Sequence, residues 1–269
     1  MKKTLIALSI LTVLLYSCKD EDVITQNDFS STQASKDHLF AEQTFNDVGR
    51  IVKEGFLASG MNRSCVSYNL MNADSSDSDT LIISFNSEGC LHNSKIRKGK
   101  IITIFTGKYR DSLAVMRTIF DNYYVFDNLI QGERIVTNQG RNQKGNMWFT
   151  IAVNSASINN TTSGTINWES KQNREWISGM GTYFDTTDDK YKITGSASGN
   201  GVNGKAFAME ITDTLNIDLG CLPSCVIKSG TAKISPSGYS DRIINYGDSI
   251  CDCNFDVIIN GTTYPIVIN

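Results

Sequence analysis

The chain has 269 residues, with Lys+Arg 25 against Asp+Glu 28, two His, seven Cys and three Pro, and 40% of it is hydrophobic. That length can bury a sizeable core, and 9% aromatic with 20% charged residues is not the composition of a disordered chain. A net charge of −3 leaves no basic footprint for nucleic acid, and two His give little material for a histidine-based active site.

Met1-Lys2-Lys3 followed by the apolar run Thr4 to Tyr16 reads as a signal peptide over residues 1–17, because the run is too short to span a bilayer, which takes about 20 apolar residues. It ends in Leu15-Tyr16-Ser17-Cys18, which resembles the lipobox of bacterial lipoproteins. That resemblance implies lipidation of Cys18, with several acyl chains making a firm anchor. Lys19-Asp20-Glu21-Asp22 resembles the surface-export signal of Bacteroidetes lipoproteins. Residues 18–35 then form a polar tether, reaching about 60 Å extended or roughly 20–25 Å as a flexible coil. Two lysines and no acidic residue leave with residues 1–17, taking the net charge from −3 to −5.

From residue 36 to 58 the apolar positions Ala41, Phe45, Val48, Val52 and Phe56 recur at helical spacing, with Ser35 as candidate N-cap and Gly60 just past the end. Its polar side mixes Lys36, Asp37, Glu42, Asp47, Arg50, Lys53 and Glu54 without a basic bias, so the helix is expected to pack on a sheet rather than on a membrane. Beyond it, period two takes over, in runs at 80–85, 101–106, 113–120, 129–137, 147–154, 164–170, 191–198, 205–212, 231–234, 255–259 and 262–268. Polar pairs such as Asp121-Asn122, Asp127-Asn128, Asn159-Asn160 and Asn260-Gly261 separate them, the last being a two-residue hairpin signal. Short connections force antiparallel pairing. The expected fold is mainly β: one large curved antiparallel meander of about twelve strands, with one N-terminal amphipathic helix packed on it, in a single β-rich domain over 36–269.

Several of these segments, among them Lys108-Tyr109-Arg110-Asp111-Ser112, Phe120 to Asn128, Arg97-Lys98-Gly99-Lys100, Ile193 to Gly199 and Ile234 to Gly238, resemble a family of uncharacterised Bacteroidetes lipoproteins over most of residues 36–269. The resemblance implies an envelope location, outer-membrane and surface-exposed in its fullest form, and carries over no catalytic residue.

Cys18 apart, Cys65, Cys90, Cys221, Cys225, Cys251 and Cys253 read as a disulfide framework in an exported chain. Sequence grouping favours Cys65 with Cys90, and cross-links between Cys221/Cys225 and Cys251/Cys253, with a four-thiolate zinc site from the last four as the rival. The acidic clusters at 74–79 and 185–189 lack the EF-hand pattern and read as solvated loops, so no metal or other cofactor is expected. Glu169, Asp241, Asp248 and Asp252 could supply a glycosidase carboxylate pair. Neither His38 nor His92 has a nucleophile motif beside it, and no Gly-x-Ser-x-Gly elbow occurs. Trp148, Trp168, Trp176 and Tyr123-Tyr124 would form a glycan platform, line an apolar pocket, or simply pack in the core. The expectation is a non-enzymatic, lipid-anchored β-domain whose partners are the membrane and a glycan or small apolar ligand, not nucleic acid. A glycan-active hydrolase and a structural or adhesive surface protein are the alternatives.

Overall fold

The computed structural model describes residues 31–58, 60, 65–71, 78–182, 185–222, 225–252 and 254–267. The expected signal peptide over 1–17, Cys18, Lys19 to Asp22, most of the expected tether, most of the 74–79 cluster and Cys253 lie outside the described residues.

The period-two runs become one open sheet of thirteen antiparallel strands. These are β1 (Val66–Met71), β2 (Asp79–His92), β3 (Lys95–Phe105), β4 (Val115–Val125), β5 (Asn128–Arg141), β6 (Met147–Asn160), β7 (Gly164–Ser178), β8 (Lys190–Asn200), β9 (Ala206–Asp218), β10 (Ile227–Pro236), β11 (Arg242–Asp248), β12 (Asn254–Ile259) and β13 (Thr262–Val267). Each pairs with its neighbours in sequence, so the order across the sheet is simply β1 to β13. Asn260 and Gly261 close the last hairpin at φ 49° and 82°, the doubly left-handed geometry that suits strand twist. Pro265 is tolerated because β13 is an edge strand.

Some local readings change. β1 and β11 escape the periodicity reading, the second because its inward face opens with an arginine. Asp121-Asn122 is not a turn: it lies within β4, where Asn122 takes φ 47° in a bulge pressed on β3. Gly99 makes that approach feasible, since a Cβ there would run into the Asn122 carbonyl oxygen. The β5–β6–β7 ladders shift register around Gly132 and Ser155 in the same way. Bulges of this kind increase local twist and bend the strands.

The helix α1 (Gln33–Leu57) lies against the inner face, touching β1, β2, β3, β7 and β10. It starts earlier than the apolar spacing suggests: Lys36 N–H already bonds the Thr32 carbonyl, so Thr32 holds the cap position and Ser35 is buried inside the first turn. Phe45 stacks on Trp168 at 5.7 Å between ring centroids and meets Phe120 edge-on at 6.0 Å. Gly55 lets the helix settle on β2, where a Cβ would stand 2.7 Å from Ile83 Cδ1.

The larger correction concerns the polar side of α1. Asp37, His38, Glu42 and Asp47 are buried along with the apolar stripe, and solvent reaches only Lys36, Asn46, Arg50, Lys53 and Leu57 fully. The sheet supplies donors where water would otherwise be needed. Asp47 receives Arg97 at 2.7 Å, with Arg97 itself 0% exposed and also donating to Tyr123 Oη at 2.7 Å. Burial alone would raise the Asp47 carboxyl, but Arg97, Lys95 and Arg50 outweigh it and hold it below the usual carboxylate range. Burial also pushes the Tyr123 hydroxyl up to about 12, so it stays protonated. Glu42 accepts from Gln172 at 2.9 Å and Tyr246 at 3.3 Å, while Glu54 takes Tyr68, His92 and Asn93.

His38 sits in this interior as a neutral ring. Trp168 Nε1–H donates to its Nδ1 at 3.3 Å, which places the ring proton on Nε2, 3.7 Å from Glu42. Glu42 would favour the imidazolium, but burial dominates and keeps the pKa below the ordinary value. On acidification the unfolded chain therefore takes up a proton near pH 6.5 that the folded chain refuses, and stability falls by up to about 1.4 kcal/mol per pH unit until the folded group titrates. His38→Gln, which can still accept from Trp168, should flatten Tm between pH 7 and 5 relative to the parent; identical slopes would refute the assignment. Asp37, pushed up by burial, works in the opposite sense in both proteins and cancels in the comparison.

Candidate functional site

The disulfides fix two regions outside the helix. Cys65 joins Cys90, tying the start of β1 to β2, and Cys221 joins Cys251, tying the β9–β10 connection to the β11–β12 connection. Cys225 is also disulfide-bonded. Cysteines held in disulfides have no thiolate to give a metal, so Cys221, Cys225 and Cys251 do not make the four-thiolate zinc site. Among the described residues, no group of three or more His, Cys, Asp or Glu is placed to hold a metal ion.

Of the proposed carboxylates, Asp241 and Asp248 are set apart by a whole strand and Glu169 stands on the outer face. Asp241 precedes β11 and Asp248 ends it, seven residues apart along extended chain, or roughly 23 Å, too far for a glycosidase pair. Glu169 lies on the outer face of β7 and accepts the Ser155 N–H at 3.2 Å, and Asp252 bonds locally to Asn254. In the 185–189 cluster Asp189 departs from the solvated-loop reading: it is 1% exposed and holds Lys53 of α1 at 3.1 Å and the Tyr191 hydroxyl at 3.1 Å. The inward turn of this residue follows from α1 lying beneath it.

The aromatic candidates divide by face. Trp168, Trp176 and Tyr123 point inward and are buried. Trp148 begins β6 and Tyr124 nearly ends β4, on strands running the same way, so they stand at opposite ends of the sheet and form no platform. The concave face is thus filled by α1 rather than by a ligand cavity.

Among the described residues a cleft of about 330 Å³ opens beside the first two turns of α1. Phe40, Ile158, Ile166, Val202 and Ile266 give it apolar walls, and Gln33, Lys36, Asp37, Asn128 and Asn160 give it a polar side. Its position follows from the hairpin pattern: the β4–β5, β6–β7 and β8–β9 turns all end where the helix begins. Asp37 is held by Gln33 Nε2–H at 2.8 Å and by the Val202 N–H at 3.1 Å. Gly201 is required beside it, since a Cβ would collide with Asp37 Oδ2. Burial exceeds these two bonds in effect and lifts the Asp37 carboxyl above its ordinary value. Asn160 donates to Asn128 Oδ1 at 3.2 Å, making a neutral amide edge on the opposite wall.

No family model, curated protein or solved structure matches this chain.

The cleft's chemistry must therefore be read from its own walls. A volume near the lower end for small-molecule sites, apolar sides and a few convergent polar groups suit a small amphiphile, its apolar part against Ile158, Ile166 and Phe40. The run-by-run sequence reading did not find this cleft, because its walls come from α1, β5–β7, the β8–β9 turn and β13 at once.

Proposed function

We propose that the protein is a lipid-anchored lipoprotein of the cell envelope, held at the outer membrane through Cys18, and that its folded part binds a small amphiphilic ligand without catalysing a reaction. The observation that carries the ligand half is the cleft of about 330 Å³ with apolar walls and a polar side at the start of α1, the end at which the tether joins. The lipobox-like Leu15-Tyr16-Ser17-Cys18 and the acidic export-type sequence after it support the anchor half. Disulfides at Cys65–Cys90 and Cys221–Cys251 agree with an oxidising compartment. Leu91, Ile96 and Phe126, exposed at 73%, 44% and 47% on neighbouring hairpin tips, favour an adhesive contact as a second reading.

Fractionation and ligand binding test the two halves separately. Cys18→Ala should move the protein from the membrane to the soluble fraction, and continued tight membrane association would overturn the anchor. N-phenyl-1-naphthylamine, an uncharged apolar probe, should bind the parent protein and lose at least tenfold affinity on Ile166→Trp, which fills the cleft. Equal binding by both proteins would overturn the ligand site.

A further inference from the structure

Three large apolar side chains stand in water together at one corner of the sheet. Leu91 and Ile96, exposed at 73% and 44%, are paired across the β2–β3 hairpin. Beside them, in the β4–β5 turn, the Phe126 N–H bonds the Ile96 carbonyl at 2.7 Å, and the Phe126 side chain is 47% exposed. The patch runs on into the cleft, since Asn128, two residues past Phe126, lines it and accepts Asn160 of β6 at 3.2 Å. In a meander of nearest neighbours, the β2–β3, β4–β5, β6–β7, β8–β9 and β10–β11 turns all fall at one end of the sheet, here the rim. The chain enters α1 at this rim, where Arg242 Nη2–H of β11 donates to the Ser31 carbonyl at 3.2 Å.

Exposed apolar residues also occur at the opposite end, as Leu113, Ile177 and Ile250, so exposure by itself does not choose between the two. The position of the N-terminal chain does. Cys18 lies 13 residues before Ser31, a length that spans at most about 45 Å and roughly 20 Å as a coil. A chain held at Cys18 therefore keeps the rim near the lipid, while Leu113 stands roughly 35 Å further off, the length of the 11 residues of β4. Charge points the same way. The rim turns carry Lys95 and Lys205 with Asp127 and Asp241, whereas the connections at the other end carry Asp111, Asp185, Asp188 and Asp252 against Lys108, Arg110 and Lys144, more charge to draw out of water. Three apolar side chains hold a protein on a bilayer only weakly, in keeping with the expected release of Cys18→Ala. On a chain already tethered, their effective concentration at the surface is high enough to set its orientation.

We propose that Leu91, Ile96 and Phe126 dip into the lipid surface at which the N-terminus is held, so that the cleft opens at the bilayer. The inference rests on the anchor reading and adds to it the face that the protein turns to the membrane. An amphiphile then passes between bilayer and cleft along Phe126 without entering bulk water.

The test holds the full Cys18→Ala chain, through an N-terminal hexahistidine, on phosphatidylcholine vesicles containing a nickel-chelating lipid. The tether is then fixed whether or not Cys18 is lipidated in the cell, and fractionation of Cys18→Ala remains the separate test of the anchor. Phe126→Trp adds a fluorescent reporter at the rim and Leu113→Trp adds one at the far end, each read as the emission above that of the parent. With acyl-brominated phosphatidylcholine in the vesicles, the rim reporter should lose most of its added emission and shift to shorter wavelength, and the far reporter should keep its own. Adding Leu91→Asp and Ile96→Asp should return most of the lost rim emission. If Phe126→Trp does not fold, Leu91→Trp reports from the same patch. A rim reporter left unquenched, as a patch for an adhesive protein contact would leave it, overturns the proposal, and so does equal quenching of both reporters.

Discussion

Removing residues 33–57 is expected to abolish the native sheet, not merely to weaken it. Leu39, Phe45, Val48, Ile51 and Val52 are all at most 7% exposed, and burying five such side chains stabilises by about 8–15 kcal/mol, as much as the whole net stability of an ordinary domain. Without α1, the face formed by Leu81, Ile83, Ile101, Ile130, Trp168 and Ile244 would meet water directly. The deleted chain should lose near-ultraviolet dichroism and cooperative melting, and a synthetic 33–57 peptide added in trans should restore part of both. A truncated protein that melts cooperatively with an unchanged aromatic spectrum would show that the sheet stands without its helix.

The second large effect centres on Asp47. Its carboxylate receives Arg97 at 2.7 Å, Arg50 at 2.6 Å and Lys95 at 3.8 Å, so one anion balances three cations. Asp47→Asn keeps the shape and removes the charge, leaving Arg97 buried against other cations at a cost of about 3–5 kcal/mol and a Tm loss on the order of 10 °C. Replacing both partners, Asp47→Leu with Arg97→Met, should recover most of that loss, because the penalty belongs to the stranded charge rather than to the absent bond. Because the folded Asp47 pKa is depressed, this stabilisation is present above the unfolded value near pH 4 and is lost as pH falls through the folded one; the gap between parent and Asp47→Asn should therefore close below pH 4. Denaturant melts at pH 7 and pH 3 measure all three quantities. A double variant as unstable as the single one would sink the electrostatic account.

Much of the sheet was legible because period two is a local signal, and Asn260-Gly261 marks its turn by the residues' own tolerance of positive φ. The helix was legible as an amphipathic element, but not as an interior one. Asp37, Glu42 and Asp47 read as a wet face because their partners, Val202, Gln172, Tyr246 and Arg97, come from strands far along the chain. The inward-facing arginines Arg134 and Arg174 did leave a signal. Alternation from Ile130 through Val136 puts Arg134 on the inner face of β5, and Ile166, Trp168 and Trp176 put Arg174 on that of β7. What the alternation could not say is that no acid of α1 would reach them.

The strict neighbour-to-neighbour pairing of β1 to β13 also bears on how a wall of this kind is lengthened. Contacts that close on α1 span 38 residues for Glu54 with His92 and 204 residues for Glu42 with Tyr246. Loop-closure entropy grows only logarithmically, so the 204-residue closure costs about 1.5 kcal/mol more than the 38-residue one. A hairpin inserted or duplicated in the meander therefore carries a small entropic penalty, and the strands beyond Tyr246 still join the interior, through Phe255, Val257, Ile259 and Ile266.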